Sequence, residues 1–243
     1  GYGVSQAGIE WADGNNGKLI VSLDCGVKAN KMVALAKSKG IDFIVCDHHN
    51  TPEILPEAVA VLDPKRPDCE YPFKELCGCG VGFKLICALA EKDEKTPEDL
   101  VEYLDLVATA IGADIVPIVD ENRALAYFGL QVINSNPRNG IKALIHQIKK
   151  KQLTITDVVF IIAPRINAAG RIKHGNYAVE LLTEMDFDSA IEFAKAIEVF
   201  NADGSDAGFT IDTPFPGADT LDLLYGNQCF IPPTSSIQIP QTS

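Results

Sequence analysis

The sequence lacks any apolar run approaching the ~20 residues that a membrane-spanning helix needs. It also lacks a basic segment followed by an apolar one at its start, which is the pattern of a secretion signal. Its seven cysteines are odd in number and irregularly spaced, so they do not indicate a disulfide framework. These absences, with a hydrophobic content of 47%, predict a globular protein of the cytoplasm.

Paired C-x-x-C spacing, the usual pattern of structural zinc sites, is missing as well. Cys77-Gly78-Cys79, with Cys69 and Cys87 nearby, is the stretch closest to such a site. The pattern favours small, buried, apolar cysteine side chains over a zinc site.

The sequence has few basic residues: 21 Lys and Arg stand against 33 Asp and Glu, which gives a net charge of −12. This balance argues against binding to nucleic acid through overall charge. It leaves room for a local basic path, and for a metal site in which cations neutralise carboxylates.

A strand, a helix and a second strand open the patterned part of the chain. Residues 18–23 read as a strand that ends in Asp24, residues 28–39 as an amphipathic helix, and residues 41–46 as a buried strand that runs into Asp47. A right-handed crossover of this kind makes the two strands parallel. Asp24 and Asp47 are therefore expected at the same C-terminal edge of the sheet, where open α/β sheets bind ligands.

Two of the four histidines follow Asp47 directly, as His48 and His49. Imidazole is the commonest transition-metal ligand, and a neighbouring carboxylate can orient its ring or share the metal. The alternative is that both are solvated turn residues, which the position after a buried strand disfavours. The triplet therefore predicts a functional site.

A third strand is predicted at residues 58–62, and residues 1–18 are weakly patterned. Thr156 and Asp157 are expected to cap a further helix.

After residue 201 the composition becomes rich in Gly, Pro, Ser and Thr, which predicts an irregular tail over 201–243 after a domain over 1–200. Helical patterns occupy residues 80–91, 96–114, 122–133, 140–151, 177–183 and 187–200.

Four side chains combine carboxylate and imidazole without thiolate: Asp24, Asp47, His48 and Asp114. This mixture suits Mn²⁺ or a similar ion better than structural zinc. Asp114 lies at a break in the chain that Gly112 marks, before Pro117, so we expect its side chain to be held in position rather than merely solvated. A two-metal site would need further carboxylates, and the chain offers no such cluster before Asp24.

Arg165, Asn167 and Arg171 lie among small residues within residues 163–171. They could form a surface that a phosphate backbone approaches closely. They could equally form a capped bend whose arginines pair with nearby acids, and the pattern alone does not separate the two.

Five motifs occur in the order and spacing of DHH-family phosphoesterases, which the chain resembles over residues 1–200. They are Leu-Ile-Val-Ser-Leu-Asp-Cys-Gly at 19–26, the Asp-His-His triplet at 47–49, Gly-Cys-Gly-Val-Gly-Phe-Lys at 78–84, Gly-Ala-Asp-Ile-Val-Pro at 112–117 with Glu-Asn-Arg at 121–123, and Pro-Arg-Ile-Asn-Ala-Ala-Gly-Arg at 164–171. The resemblance implies an α/β fold, a parallel-sheet phosphoesterase domain with helices packed on and after the sheet.

The resemblance also implies roles for individual residues. Asp24 matches a carboxylate that bridges two Mn²⁺ or Mg²⁺ ions, and His48 and Asp114 match ligands of one of them. Asp47 would support the cluster, while His49 would face the scissile phosphate. Arg165, Asn167 and Arg171 fall in the motif that helps to hold the DNA strand.

The activity implied is a metal-dependent 5′→3′ exonuclease acting on single-stranded DNA in repair and recombination. Hydrolysis of short oligonucleotides, cyclic dinucleotides or pyrophosphate is an alternative, as is a non-catalytic scaffold that keeps the fold. The family's first Asp-x-Asp motif would precede Gly1, and its second domain would follow residue 200. We therefore expect one half of the two-metal site to be incomplete and this chain to have little activity alone. Single-stranded DNA is the expected partner, and the sequence does not identify partner proteins.

Overall fold

A three-stranded parallel sheet organises the first part of the protein. The computed structural model describes residues 3–172 and 176–202, without the side chains of 170–172 and 198–202. Strands β1 (Leu19–Leu23), β2 (Asp42–Cys46) and β3 (Ala60–Leu62) lie in the order β1-β2-β3. The predicted α/β class, with a parallel sheet and helices packed on and after it, is confirmed.

Helices α1 (Gln6–Gly14) and α2 (Asn30–Ser38) share one apolar cluster with this sheet. Helix α2 is the predicted crossover between β1 and β2, and its Val33 is buried beside Phe43 of β2 in one apolar cluster. Helix α1 was not predicted; it begins after Ser5, whose hydroxyl accepts a hydrogen bond from the backbone N–H of Gly8 at 3.1 Å.

The remaining elements of the described chain are helices. The elements are α3 (Gly78–Lys92), a 3₁₀ segment (Pro97–Tyr103), α4 (Leu104–Asp114), α5 (Asp120–Ser135), α6 (Asn139–Ile145), α7 (Ile155–Asp157), a π-helical turn (Val158–Ile162), α8 (Ala163–Ile172), α9 (Asn176–Thr183) and α10 (Phe187–Ala202). Among the described helices, none is long and apolar enough to cross a bilayer.

Helix α4 joins the two halves of the core. On one side Ile111 packs in a cluster with Phe83 of α3, and on the other Ala108 belongs to the cluster of Ile133 and Ile162. Helix α5 approaches α4 closely at Gly129, where an added β-carbon would lie 2.1 Å from the carbonyl oxygen of Leu104. The packing of Ile111 against α3 positions the end of α4, where Asp114 lies.

Two predicted helix limits are wrong. Helix α6 ends at Ile145 rather than at residue 151, because the chain turns to bury Leu153, whose N–H donates to Asn134 Oδ1 at 2.7 Å. The next helix is capped by Thr154, not by Thr156 and Asp157; Asp157 lies in its first turn and accepts from the Thr154 N–H. Helix α10 runs to Ala202, and residues 203–243 of the predicted tail lie outside the described residues.

Candidate metal centre

Each strand of the sheet is followed by an aspartate at the C-terminal edge. Asp24 follows β1, Asp47 follows β2 and Asp63 follows β3. Leu23 is in register with Cys46, and Cys46 with Leu62, so the three acids start from adjacent positions. Asp24 adopts a positive φ of 62°, which turns the chain sharply while its N–H still donates to the Cys46 carbonyl at 2.9 Å.

The imidazole of His48 lies between two of the predicted ligands. Its Nε2 is 3.1 Å from Asp24 Oδ1 and 3.3 Å from Asp114 Oδ2. Neither contact has the direction of a hydrogen bond, although Nε2 is buried. Contact with Asp24 and the charge of Asp114 raise the pKa of His48 against the opposing effect of burial. The nitrogen thus faces a space that two carboxylates also face.

Asp114 reaches this space from a different element. It is the last residue of α4, and Ile115 after it takes a left-handed conformation with φ of 54° that ends the helix. The side chain of Asp114 is partly exposed toward the sheet edge, where it meets His48. The structure therefore brings Asp24, His48 and Asp114 together from two strand ends and one helix end.

Asp47 lies beneath this group and is only 1% exposed. Its carboxylate accepts the N–H groups of Val27 and His48, both at 2.8 Å, and contacts His49 Nδ1 at 2.7 Å. Burial opposes ionisation of Asp47, but these hydrogen bonds outweigh it and hold the pKa below its ordinary value. An ionised Asp47 accepts, so His49 Nδ1 donates, and Asp47 orients the partly exposed imidazole of His49.

The donors fit a divalent cation. Ligand atoms of Asp24, His48 and His49 all lie within 4.8 Å of one another, and Asp114 adds a second carboxylate beside His48. Carboxylate oxygens with imidazole nitrogens suit Mn²⁺ and similar ions. A cation in this space would satisfy the buried Nε2 of His48 and the negative charge of both carboxylates.

Helix α3 closes one side of the site. Its first residue, Gly78, lies against the Asp24 side chain, and Cys77 caps it by accepting the Gly80 N–H on Sγ at 3.3 Å. The positive end of the helix dipole thus lies near the Asp24 carboxylate. The sequence identified this glycine-rich motif but did not place it beside the candidate metal ligands.

Asp63 directly follows the third strand but was not predicted as a site residue. It is 3% exposed; Oδ1 accepts the Lys65 N–H at 2.8 Å, whereas Oδ2 is buried and has no hydrogen-bond partner among the described residues. Burial and the neighbouring charge of Asp47 raise its pKa. The available signal was the one that identified Asp24 and Asp47, an acid directly after a predicted strand.

The predicted DNA-binding residues lie on α8, in the helical part of the protein. Arg165 is half-buried and donates from Nη1 to the Leu144 carbonyl at 3.2 Å, while Asn167 is exposed. The backbone of Arg171 belongs to α8, and its side chain lies outside the described residues.

Comparison with known proteins gives concordant results. The profile of the DHH family, N-terminal domain, matches residues 5–111. The single-stranded-DNA-specific exonuclease RecJ of Salmonella typhimurium is 39% identical over 213 residues, which are 83% of this chain and 37% of that protein. RecJ of Bacillus subtilis is 39% identical over 203 residues, or 83% of this chain and 25% of that protein. The chain thus spans much less than half the length of these relatives.

Solved structures show the same likeness. Exonuclease RecJ bound to manganese superposes with a TM-score of 0.75 at 30% identity, covering 84% of this chain and 51% of that one. RecJ of Thermus thermophilus in complex with Mn²⁺ gives a TM-score of 0.71 at 30% identity, covering 81% of this chain and 30% of that one.

Proposed function

Because this chain belongs to the DHH family, we propose that it is a section of a metal-dependent phosphodiesterase, a 5′→3′ exonuclease that acts on single-stranded DNA. The observation that carries the proposal is the position of His48 Nε2, buried between the carboxylates of Asp24 and Asp114. Relatives named single-stranded-DNA-specific exonucleases, and solved structures of RecJ with Mn²⁺, support it.

Asp24, His48 and Asp114 would hold the cation in this proposal, which is Mn²⁺ or Mg²⁺. When bound, such an ion supplies Lewis-acid stabilisation to the oxygens around phosphorus during in-line attack by water. Asp24 projects a carboxylate with two oxygens from the sheet edge, which suits a ligand shared between two ions. The described donors gather at one point, so we expect one ion to be held well and this chain alone to be a weak nuclease.

His49 and Asp47 form the second part of the proposed machinery. The hydrogen bond from Nδ1 to Asp47 fixes the ring and leaves Nε2 as the nitrogen that faces a bound phosphate. When that imidazole is protonated, its Nε2–H can donate to a phosphoryl oxygen, and Asp47 balances the charge. Asp47 is itself held by backbone N–H groups, so the pair is positioned before substrate arrives.

Arg165, Asn167 and Arg171 are proposed to contact the DNA backbone. Arginine and amide side chains bind phosphate oxygens, and such contacts position a strand without reading its sequence. With a net charge of −12, the chain depends on local contacts of this kind. We also propose that the protein acts in the cytoplasm.

The test uses the 243-residue chain at stoichiometric ratio to single-stranded oligonucleotides labelled at the 5′ or the 3′ end, with Mn²⁺. We expect slow release of the 5′ label as mononucleotide, abolished by a chelator and by Asp114→Asn. Asp93→Asn is the matched control, because Asp93 is exposed at the end of α3 and should leave the rate unchanged. Release from the 3′ end, internal cleavage, or a rate indifferent to Asp114→Asn would contradict the proposal.

A further inference from the structure

We propose that Asn122 is a positioning residue of the metal centre, because its buried amide joins the two chain segments that place Asp24 and Asp114. The inference deepens the proposed function and rests on the metal site assigned there. Asn122 touches neither the metal nor the substrate and acts only through the backbone that it holds.

The amide of Asn122 donates to two backbone carbonyls from different parts of the chain. Its Nδ2 lies 2.6 Å from the Glu75 oxygen and 3.0 Å from the Pro117 oxygen. Outside helices and strands, no backbone N–H of the described residues donates to either oxygen. Asn122 is fully buried, so water does not compete for these bonds. One side chain therefore joins the loop before α3 directly to the segment after α4.

The first of these segments leads to Asp24. Glu75 lies three residues before Gly78, where α3 begins, and Gly78 lies against the Asp24 side chain. Leu76 and Cys77 between them are 2% and 1% exposed, so this stretch is enclosed by its neighbours and moves with Gly78. A shift of the Glu75 carbonyl is therefore passed to Gly78 and to the Asp24 carboxylate.

The second segment leads to Asp114. The chain leaves α4 at Ile115, whose left-handed φ of 54° is unfavourable for a β-branched side chain. Ile115 is also 65% exposed, so packing does little to hold it in that conformation. The bond from Asn122 to Pro117, three residues beyond Asp114, holds the turn instead. Without that bond the chain would relax at Ile115, and the Asp114 carboxylate would move relative to His48.

The orientation of the amide supports this role. Because two carbonyl oxygens face Nδ2, the NH₂ group of Asn122 must point toward them. Oδ1 is left buried and without a hydrogen-bond partner among the residues that the structure describes. A buried acceptor without a partner costs free energy. The side chain thus joins the two segments at the expense of one of its own hydrogen bonds.

The residue before Asn122 anchors the same turn of α5. Glu121 accepts from the Tyr71 hydroxyl at 2.7 Å and forms an ion pair with Lys84 of α3. These contacts tie the first turn of α5 to α3 and to the loop before it. Asn122 therefore acts from a fixed position.

Asn134 provides a control in the same helix. Its Nδ2 donates to the carbonyls of Leu130 and Leu153 at 2.8 and 2.9 Å, so it also joins two backbone oxygens. Neither carbonyl lies in a segment next to a proposed metal ligand. A second control is Arg138→Met, which disrupts a buried ion pair with Asp105 at the opposite end of α4 from Asp114.

The test is calorimetric titration of the full 243-residue chain and its variants with Mn²⁺. We expect Asn122→Ala to bind Mn²⁺ about tenfold more weakly or worse, a loss typical of disturbed support for a metal ligand. Asn134→Ala should keep the affinity of the unmodified chain, and Arg138→Met should keep it despite its lower stability. Equal affinity in Asn122→Ala and Asn134→Ala would overturn the proposal, as would an equal loss in Asn122→Ala and Arg138→Met.

Asn122→Ser carries the same test if Asn122→Ala does not fold. Its single hydroxyl proton serves only one of the two carbonyls, so this variant should bind Mn²⁺ more weakly than Asn134→Ser. Equal affinities in these two variants would overturn the proposal. None of these measurements involves DNA, so failure of the nuclease assay with the expected Mn²⁺ affinities would count against the proposed function alone.

Discussion

A β-carbon on Gly78 would stand 2.2 Å from Oδ1 of Asp24 and 2.5 Å from its Cβ and Cγ. These distances are far below van der Waals contact, so only glycine allows the first turn of α3 to lie against the Asp24 side chain. The helix end and the strand end are thereby held together. Asp24 keeps its place beside His48 through this contact.

Gly78→Ala is expected to displace the Asp24 carboxylate and weaken Mn²⁺ binding by about tenfold or more, a loss of the size seen when the support of a metal ligand is disturbed. Gly80→Ala is the matched control in the same helix turn, since its nearest neighbours would lie at an ordinary 3.5 Å. Calorimetric titration of both variants checks the prediction. Unchanged affinity in Gly78→Ala would show that Asp24 does not depend on this contact.

Arg138 and Asp105 form a buried ion pair that ties the start of α6 to the start of α4. Asp105 is fully buried and accepts from Arg138 Nε at 2.9 Å and from the Arg138 N–H at 3.0 Å. Arg138→Met leaves the carboxylate without its cation and should lower the free energy of unfolding by about 3–5 kcal/mol. Urea denaturation of the unmodified chain and of Arg138→Met measures this change in the free energy of unfolding.

The control for that change is Lys195→Met, which breaks an exposed pair with Glu192. Exposed ion pairs contribute little to stability, so we expect the free energy of unfolding of Lys195→Met to change by no more than about 0.5 kcal/mol. If the two variants lost similar free energies of unfolding, the burial of Asp105 would not be what makes the loss of Arg138 destabilising.

Asp157 should make stability depend on pH in the acid range. Burial opposes its ionisation, but Lys150 Nζ at 2.7 Å and the Thr154 N–H at 2.6 Å lower the pKa below that of the unfolded chain. A lowered folded-state pKa adds stability that is complete above the unfolded value of about 3.9 and is lost as the pH falls through the folded value.

Asp157→Asn is therefore expected to be destabilised at pH 7 by about 1–2 kcal/mol, the range typical of a lost helix cap. Its difference from the unmodified chain should shrink at about pH 3, where Asp157 approaches protonation. Urea denaturation at both pH values tests this. A difference that is constant over the range would exclude a role for the Asp157 charge.

Local sequence patterns predicted most of the elements, because strands and helices here follow their own hydrophobic period and carry recognisable ends. The strand-helix-strand unit was enough to place Asp24 and Asp47 at one sheet edge. Helix α1 was missed because it buries only Ile9 and Ala12 and contains two glycines, so its periodicity is weak. The cap at Ser5 was the signal available.

The site was predictable only in part. Asp24, His48 and Asp114 could be selected by residue type, by position at element ends and by resemblance to a family. Their meeting depends on how α4 packs against α3 and α5, which no local pattern encodes. The burial of Asp63 and the contact of Gly78 with Asp24 are likewise properties of the packed structure. The roles of these residues in catalysis remain predictions.

The most direct test of the account is calorimetric titration of the 243-residue chain with Mn²⁺, compared with Asp24→Ala and His48→Ala. Asp93→Asn serves as the control for loss of a carboxylate elsewhere. We predict that the unmodified chain and the control bind one Mn²⁺ and that both site variants lose this binding. Failure of the unmodified chain to bind, or binding that survives in both Asp24→Ala and His48→Ala, would contradict the assignment of the metal centre.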